Sequence, residues 1–252
     1  MLSDEYVQVS STGGVASTAF MKYFERYTPM NTHTFPPGQD VGMLKHQRVP
    51  GSYPAFWCPP HEHGAFHKDR STFRVFNEIS GAIFFYSDPR VITTSLFKRA
   101  LVNVHLHNMG IPQRWNDFPE VHGEKSEHIP CAIRADLTAY VYRGDDIFLL
   151  EEMIESWFKT PTNFPRLLVK SEAMFENANN ILEFMNLPST HPFLHQRQRK
   201  TDLKNSEHLE GLTKMFQDFL PIYEGLPSIV KITPENQANV NEMYEELRSA
   251  AE

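Results

Sequence analysis

Residues 6–24, YVQVSSTGGVASTAFMKYF, decide the fold. Residues 6–9 form a short alternating apolar run, which predicts a β-strand. Small residues occupy 10–14, and apolar side chains from Ala16 onward recur at a helical spacing. A strand, a small-residue turn and a helix place backbone N–H groups at a helix N-terminus, where donors and dipole favour an anion. The stretch therefore predicts a phosphate or sulfate site, with an ordinary tight turn as the alternative. It contains no Gly-Lys-Ser/Thr, which argues against a Walker-type P-loop.

Composition excludes several classes of protein. The chain has 252 residues, 40% of them hydrophobic and 12% aromatic, which is enough for a packed core and excludes wholesale disorder. The net charge of −7 argues against a nucleic-acid binder with a broad basic surface, but it permits a local basic site for a small anion. No signal peptide is evident, and no run approaches the roughly 20 apolar residues of a membrane span. We therefore expect a cytoplasmic protein, and the oligomeric state stays open.

Cysteine and histidine spacing gives no metal site. Cys58 and Cys131 form no CxxC motif, so they indicate neither a disulfide framework nor a zinc knuckle. His61, His63 and His67 form a cluster that is compatible with zinc or another divalent ion. Its spacing matches no standard metal motif, and prolines surround it. Our preferred interpretation is a surface loop near an acceptor site, with no metal bound.

Strand and helix patterns alternate along the chain. Residues 82–86 are a continuous apolar run of the kind that occurs in buried parallel strands, 166–170 is a further strand candidate, and 41–46 is a briefer one. Helix patterns are predicted at 90–102, 145–158, 172–185, 206–223 and 235–250. This order predicts a single α/β domain over residues 1–252, with a central parallel sheet flanked by helices and a helical C-terminal part.

Ligands of such sheets bind at the carboxyl ends of the strands. Four strand-end segments, in order, resemble the sulfotransferases that use 3′-phosphoadenosine-5′-phosphosulfate (PAPS), whose fold is P-loop-like. The first is similar to the family's 5′-phosphosulfate loop, Pro-Lys-Ser-Gly-Thr-Thr. The corresponding residues here are Gly13, Gly14, Val15, Ala16, Ser17 and Thr18. The hydroxyl pair Ser17 and Thr18 matches, whereas Gly14 stands where the family has lysine.

The second segment contains Lys45 and His46, followed by Pro50, and is similar to the Lys-Thr-His-Leu-Pro segment of cytosolic members. In that family the histidine takes the acceptor's proton and the lysine touches the sulfate. Lys45 and His46 are adjacent here, one residue closer than in the family, so either side chain could face the sulfate.

The third segment, residues 84–99, resembles the family's 3′-phosphate segment, Arg-Asp/Asn-Pro with a serine eight positions after the arginine. Asp88 and Ser95 match that pattern, and Ser87 stands where the family has arginine. The fourth segment, residues 167–188, is similar to the strand and helix written yEdL … FLGLP. Arg199 and Lys200 could stand for the late Arg-Lys pair that closes over the 3′-phosphate.

The resemblance implies transfer of a sulfuryl group from PAPS to a hydroxyl of a small-molecule or glycan acceptor, with 3′-phosphoadenosine-5′-phosphate (PAP) as the product. Residues 13–18 would hold the 5′ end. His46 would act as general base, since an imidazole is near its pKa at neutral pH. The 3′-phosphate would be recognised by Ser87, Ser95, Arg99, Arg199 and Lys200.

Alternatives remain open at the level of function and of single residues. Because Gly14 and Ser87 replace cations of the family, the chain could be a catalytically impaired member that binds a nucleotide or a protein partner. A nucleotide kinase-like transferase is a further alternative. His46 could equally have a hydrogen-bonded structural role, and Glu172 could cap the helix that it begins.

Overall fold

A computed structural model describes residues 5–13, 20, 23–24, 31–32, 78–109, 113–125, 133–193, 203 and 207–252. The strands are β1 (Glu5–Ser11), β2 (Asn31–Thr32), β3 (Glu78–Tyr86), β4 (His122–Lys125), β5 (Ile133–Ala135), β6 (Arg166–Lys170) and β7 (Ile229–Ile232). The helices are α1 (Pro89–Lys98), α2 (Val102–Asn108), α3 (Gln113–Asn116), α4 (Leu137–Arg143), α5 (Leu150–Lys159), α6 (Ala178–Phe184), α7 (Leu209–Met215), α8 (Leu220–Gly225) and α9 (Gln237–Ala251). The strand candidate at 41–46 and the histidine cluster at 61–67 lie outside the described residues.

Five of these strands form one sheet in the order β2-β1-β3-β6-β7. The first four run parallel, as the sequence predicts, and β3 lies between β1 and β6. The remaining strands, β4 and β5, form a separate antiparallel pair. The chain is therefore α/β, with a central sheet that helices flank.

The predicted parallel sheet is confirmed only in part, because the sheet is mixed: β7 pairs with β6 in the antiparallel sense. The chain enters β7 at the carboxyl end of β6, where the Lys170 amide donates to the Ser228 carbonyl at 2.8 Å. From that end it can only run back along β6. The sequence predicts helices on either side of this segment and no strand in it, because four residues of mixed burial at a sheet edge carry little periodic signal.

Helix α1 confirms the predicted capping at its N-terminus. The Asp88 carboxylate accepts a 2.8 Å hydrogen bond from the Arg90 amide, and Pro89 is the first helical residue. The helix ends at Lys98, four residues before the predicted end, and Ala100 then takes a left-handed conformation with φ 51°.

Two other helices begin later than predicted, in each case because local hydrogen bonds form a different structure first. Before α5, the Asp146 carboxylate accepts hydrogen bonds from the backbone amides of Phe148 and Leu150, at 3.0 and 2.6 Å. Before α6, Ser171–Ala173 form a turn of 3₁₀ helix directly after β6.

Both faces of the sheet are buried, which explains the continuous apolar runs in its strands. Ile83 and Phe85 pack with the cluster on one face, and Phe84 with the cluster on the other. The Phe84 ring stacks on Trp157 of α5 with centroids 4.6 Å apart. Burying each such aromatic side chain contributes about 1.5–3 kcal/mol. No helix of the described part of the chain has the length and hydropathy to cross a membrane.

Candidate functional site

The candidate site lies at the carboxyl ends of β1 and β3. These strands are neighbours in the sheet, with Ser11 opposite Phe85 in their register. The chain continues from β1 to β2 on one side, whereas from β3 it continues to β6 on the other side. Such a topological switch point is where open α/β sheets bind ligands. The topology therefore brings Gly13, the first residue of the first predicted segment, to the same edge as Ser87 of the third.

At the end of β1 the backbone turns sharply. The Thr12 amide still pairs with β3, donating to the Phe85 carbonyl at 3.1 Å. Gly13 then adopts a φ of +83°, a conformation that glycine takes without steric cost. Its amide donates to Ser11 Oγ at 3.3 Å, so this predicted anion donor is engaged within the turn.

Two buried polar side chains lie at this turn. Thr12 is fully buried, and its hydroxyl makes no hydrogen bond within the described part of the chain. His105 of α2 is 3% exposed, and its ring lies against Gly13. Thr12 belongs to the small-residue stretch 10–14 of the predicted anion site, whereas His105 belongs to no motif that the sequence reveals.

At the ends of β3 and β6, one carboxylate accepts hydrogen bonds from three hydroxyl groups. Glu172 accepts hydrogen bonds from Ser87 at 3.2 Å, from Ser171 at 3.1 Å, and from Tyr223. The Tyr223 hydroxyl belongs to α8, so the cluster joins three parts of the chain. Glu172 therefore does not cap a helix, as one alternative held, but orients side chains at the edge of the sheet.

Burial and the charge of this carboxylate together shift the pKa values of neighbouring side chains. Burial, and after it the nearby Glu172 charge, raises the pKa of Tyr223 far above its usual range, which keeps the hydroxyl protonated as a donor. The pKa of Tyr86 rises for the same two reasons in the same order. Burial lowers the pKa of Lys170, although Glu172 and Glu224 oppose that shift. The Lys170 ammonium lies 4.6 Å from the Tyr223 ring centroid.

The cationic residue nearest to Ser87 in the sequence, Arg90, forms an ion pair with a carboxylate. Arg90 makes an ion pair with Asp88, at 2.6 Å between Nη2 and Oδ2, and its Nη1 donates to Thr213 of α7. The hydrogen bond to Asp88 is the main reason that the pKa of Arg90 is raised. Arg90 thus fixes the start of α1 to α7.

The other described residues of the predicted 3′-phosphate segment lie along α1. Ser95 is buried in the middle of that helix, and its carbonyl accepts the Arg99 amide at 3.2 Å. Arg99 caps the C-terminus of α1 and is exposed. Ser87 and Gly13 therefore lie at the same edge of the sheet, where β3 and β1 end. Ser95 and Arg99 lie further along the chain, on and at the end of α1.

The other predicted site residues lie outside the described residues. These are Gly14, Val15, Ala16, Ser17, Thr18, Lys45, His46, Arg199 and Lys200. Their roles stay predictions.

The sequence does not identify His105 or Tyr223 as site residues. Thr12 lies within the strand-end stretch 10–18 to which the carboxyl-end rule points. His105 and Tyr223 reach the edge from helices distant in sequence, and a single sequence carries no signal for such contacts.

Comparison with known proteins gives no relative. No protein-family model matches the chain, and no curated protein or solved structure matches it significantly.

Proposed function

We propose that the chain is a sulfotransferase-like enzyme that transfers a sulfuryl group from PAPS to a hydroxyl of a small-molecule or glycan acceptor. The observation that carries this proposal is the adjacency of β1 and β3. The segments that resemble the 5′-phosphosulfate loop and the 3′-phosphate segment leave the sheet from neighbouring parallel strands, at the same edge. A nucleotide with an anionic group at each end spans such an edge.

The described residues suit the 5′ end of this donor. Gly13 itself carries no side chain, although the His105 ring packs against it, and the buried Thr12 hydroxyl has no hydrogen-bond partner among the described residues. Small residues let an anion approach the backbone, and fixed hydroxyl and amide donors stabilise a developing negative charge. Ser17 and Thr18 would add two further hydroxyls.

PAPS would supply the activated sulfuryl group, and the protein would position it and move a proton. His46 would accept the proton of the acceptor hydroxyl, and Lys45 would offset the negative charge near the sulfate. Ser95, with Arg99, Arg199 and Lys200, would bind the 3′-phosphate, for which the forked donors of arginine are suited.

The direct test is turnover. The protein is incubated with PAPS and a panel of hydroxyl acceptors, and the release of PAP is followed. We expect release that depends on the acceptor, and we expect His46→Ala to abolish it while PAP affinity stays close to that of the parent. If His46→Ala retained full activity, another group would be the base. If no acceptor in a broad panel supported release, transfer itself would be in question.

The Ser87–Glu172 contact favours a second candidate, a catalytically impaired member of the fold that binds a nucleotide or a protein partner. Where the family has an arginine, this chain presents a hydroxyl that is bound to a carboxylate. A negative charge at this position weakens the binding of a phosphate. PAP binding without turnover over the whole acceptor panel would favour this candidate over the first.

A further inference from the structure

The ring of His105 fills the space that a side chain on Gly13 would need. A Cβ atom placed on Gly13 would lie 2.4 Å from His105 Cε1, 2.9 Å from Nδ1 and 3.0 Å from Nε2. These separations are shorter than van der Waals contact. As long as His105 keeps its place, residue 13 has to be glycine.

The His105 ring is itself held by the core. Its backbone belongs to α2, where its amide donates to Leu101 and its carbonyl accepts from Met109, at 2.8 and 2.9 Å. The ring lies 5.6 Å from the ring of Phe148, which is fully buried. Because close-packed interiors yield little, the contact constrains the Gly13 backbone more than it constrains the imidazole.

We propose that His105 is a positioning residue for Gly13 in the turn at the end of β1. Its ring holds Gly13 in the left-handed conformation, and so fixes the direction in which the chain leaves the β1–β3 edge. The choice of ligand in this inference rests on the proposed function. His105 is not assigned any contact with the reacting atoms.

The physical reason is preorganisation. Glycine has more conformational freedom than any other residue, so a glycine turn without a support samples many directions. Ordering such a turn when the ligand arrives weakens binding, whereas a turn that is already fixed avoids that loss. Restricting one residue's backbone corresponds to about a tenfold change in affinity.

The first arm of the test needs no ligand. Gly144 offers a matched control, because its φ of +80° is like that of Gly13 but no atom lies within 4 Å of its added Cβ. Gly144→Ala therefore measures the backbone strain alone. We expect Gly13→Ala to lower the folding equilibrium constant at least about tenfold more than Gly144→Ala does. In a His105→Ala background this difference should disappear.

If the single variant Gly13→Ala fails to fold, the arm still gives a result. Recovery of folding in the Gly13→Ala, His105→Ala double variant then supports the proposal. A double variant that is as unstable as additivity predicts, or that also fails to fold, overturns the proposal.

The second arm measures PAP affinity by calorimetry on His105→Ala and Gly144→Ala, with circular dichroism to verify that each variant is folded. We expect His105→Ala to bind PAP about tenfold more weakly than the parent and Gly144→Ala to bind it equally well. Parental affinity in a folded His105→Ala variant overturns the positioning role. If the parent binds no PAP, the proposed function fails, and the ligand-free arm alone decides whether His105 holds Gly13.

Discussion

Ser87 Oγ lies 3.2 Å from Glu172 Oε2, and this hydrogen bond joins the ends of β3 and β6. The two residues are 85 positions apart in the sequence. The bond places a carboxylate beside the position where the resembling family carries a cation. If a phosphate binds at this edge, the negative charge of Glu172 opposes its binding.

Glu172→Gln keeps the size of the side chain and removes its charge. If the 3′-phosphate binds near Ser87, we expect PAP affinity to rise about fivefold at low salt, because one repulsion between like charges is removed. The gain should shrink as salt screens the charges. Calorimetry at two ionic strengths measures both effects.

Glu183→Gln, at an exposed position on α6, is the matched control and should leave the affinity unchanged. An unchanged affinity in Glu172→Gln as well would place the 3′-phosphate away from this carboxylate.

Thr12→Val replaces a hydroxyl with a methyl group of the same shape. Because the buried hydroxyl has no partner among the described residues, its removal should leave stability unchanged or raise it by about 1 kcal/mol. The same change should weaken PAP binding if Thr12 donates to the ligand. Urea denaturation and calorimetry give the two readings. A clear loss of stability would show that Thr12 has a structural partner.

The pH dependence of stability should show the titration of Asp146. Burial raises the pKa of this carboxyl from 3.8 to about 6, despite the amide hydrogen bonds that it accepts from Leu150 and Phe148. The folded protein therefore binds the proton more tightly than the unfolded chain. The stability that this proton gives is present below about pH 4 and is lost as the pH rises through 6.

In Asp146→Asn this loss is absent. Between pH 4 and pH 7 the unfolding free energy of the variant should therefore rise relative to the parent, by at most about 3 kcal/mol. Urea denaturation at several pH values provides the comparison, and the exposed neighbour Asp145, changed to Asn, is the control. Parallel pH profiles for Asp146→Asn and the parent would rule out this role.

Arg166 donates a hydrogen bond to a backbone carbonyl in the last turn of α5. The Trp157 carbonyl cannot receive a helical hydrogen bond from residue 161, because Pro161 has no N–H. Arg166 Nη1 donates to that carbonyl at 2.7 Å, and Nη2 donates to Gln237. The guanidinium is buried, and burial lowers its pKa to about 10.

Arg166→Met removes the guanidinium donor to the Trp157 carbonyl, so we expect a loss of about 1–3 kcal/mol in the unfolding free energy. Arg248→Met, which removes ion pairs at the surface of α9, should cost less than about 1 kcal/mol. Thermal or urea denaturation of both variants tests the difference. Equal losses would mean that Arg166 acts as an ordinary surface charge.

The sequence was sufficient for features that arise from local interactions. Residues 82–86 and 166–170 are strands as predicted, the first marked by a continuous apolar run and the second by three apolar residues between Arg166 and Lys170. Asp88 and Pro89 start a helix through contacts within one turn. The sequence also predicts that β1 and β3 end at one edge, since parallel strands present their carboxyl ends together, but it does not predict that they are neighbours.

Features that depend on distant contacts were not predicted. The orientation of β7 follows from how the chain returns to β6, and its four residues carry no pattern that reports a direction. The Glu172 cluster joins β3, β6 and α8, and the His105 ring meets Gly13 from α2. Each of these contacts is fixed by tertiary packing.

Calorimetric titration with PAP, compared with adenosine 5′-monophosphate, tests the central claim most directly. The claim is that an adenylate with an anionic group at each end spans the carboxyl ends of β1 and β3. We expect PAP to bind in the micromolar range and at least about tenfold more tightly than the monophosphate, because only PAP carries the second phosphate. Equal affinities, or no heat of binding at high micromolar PAP, would contradict the claim.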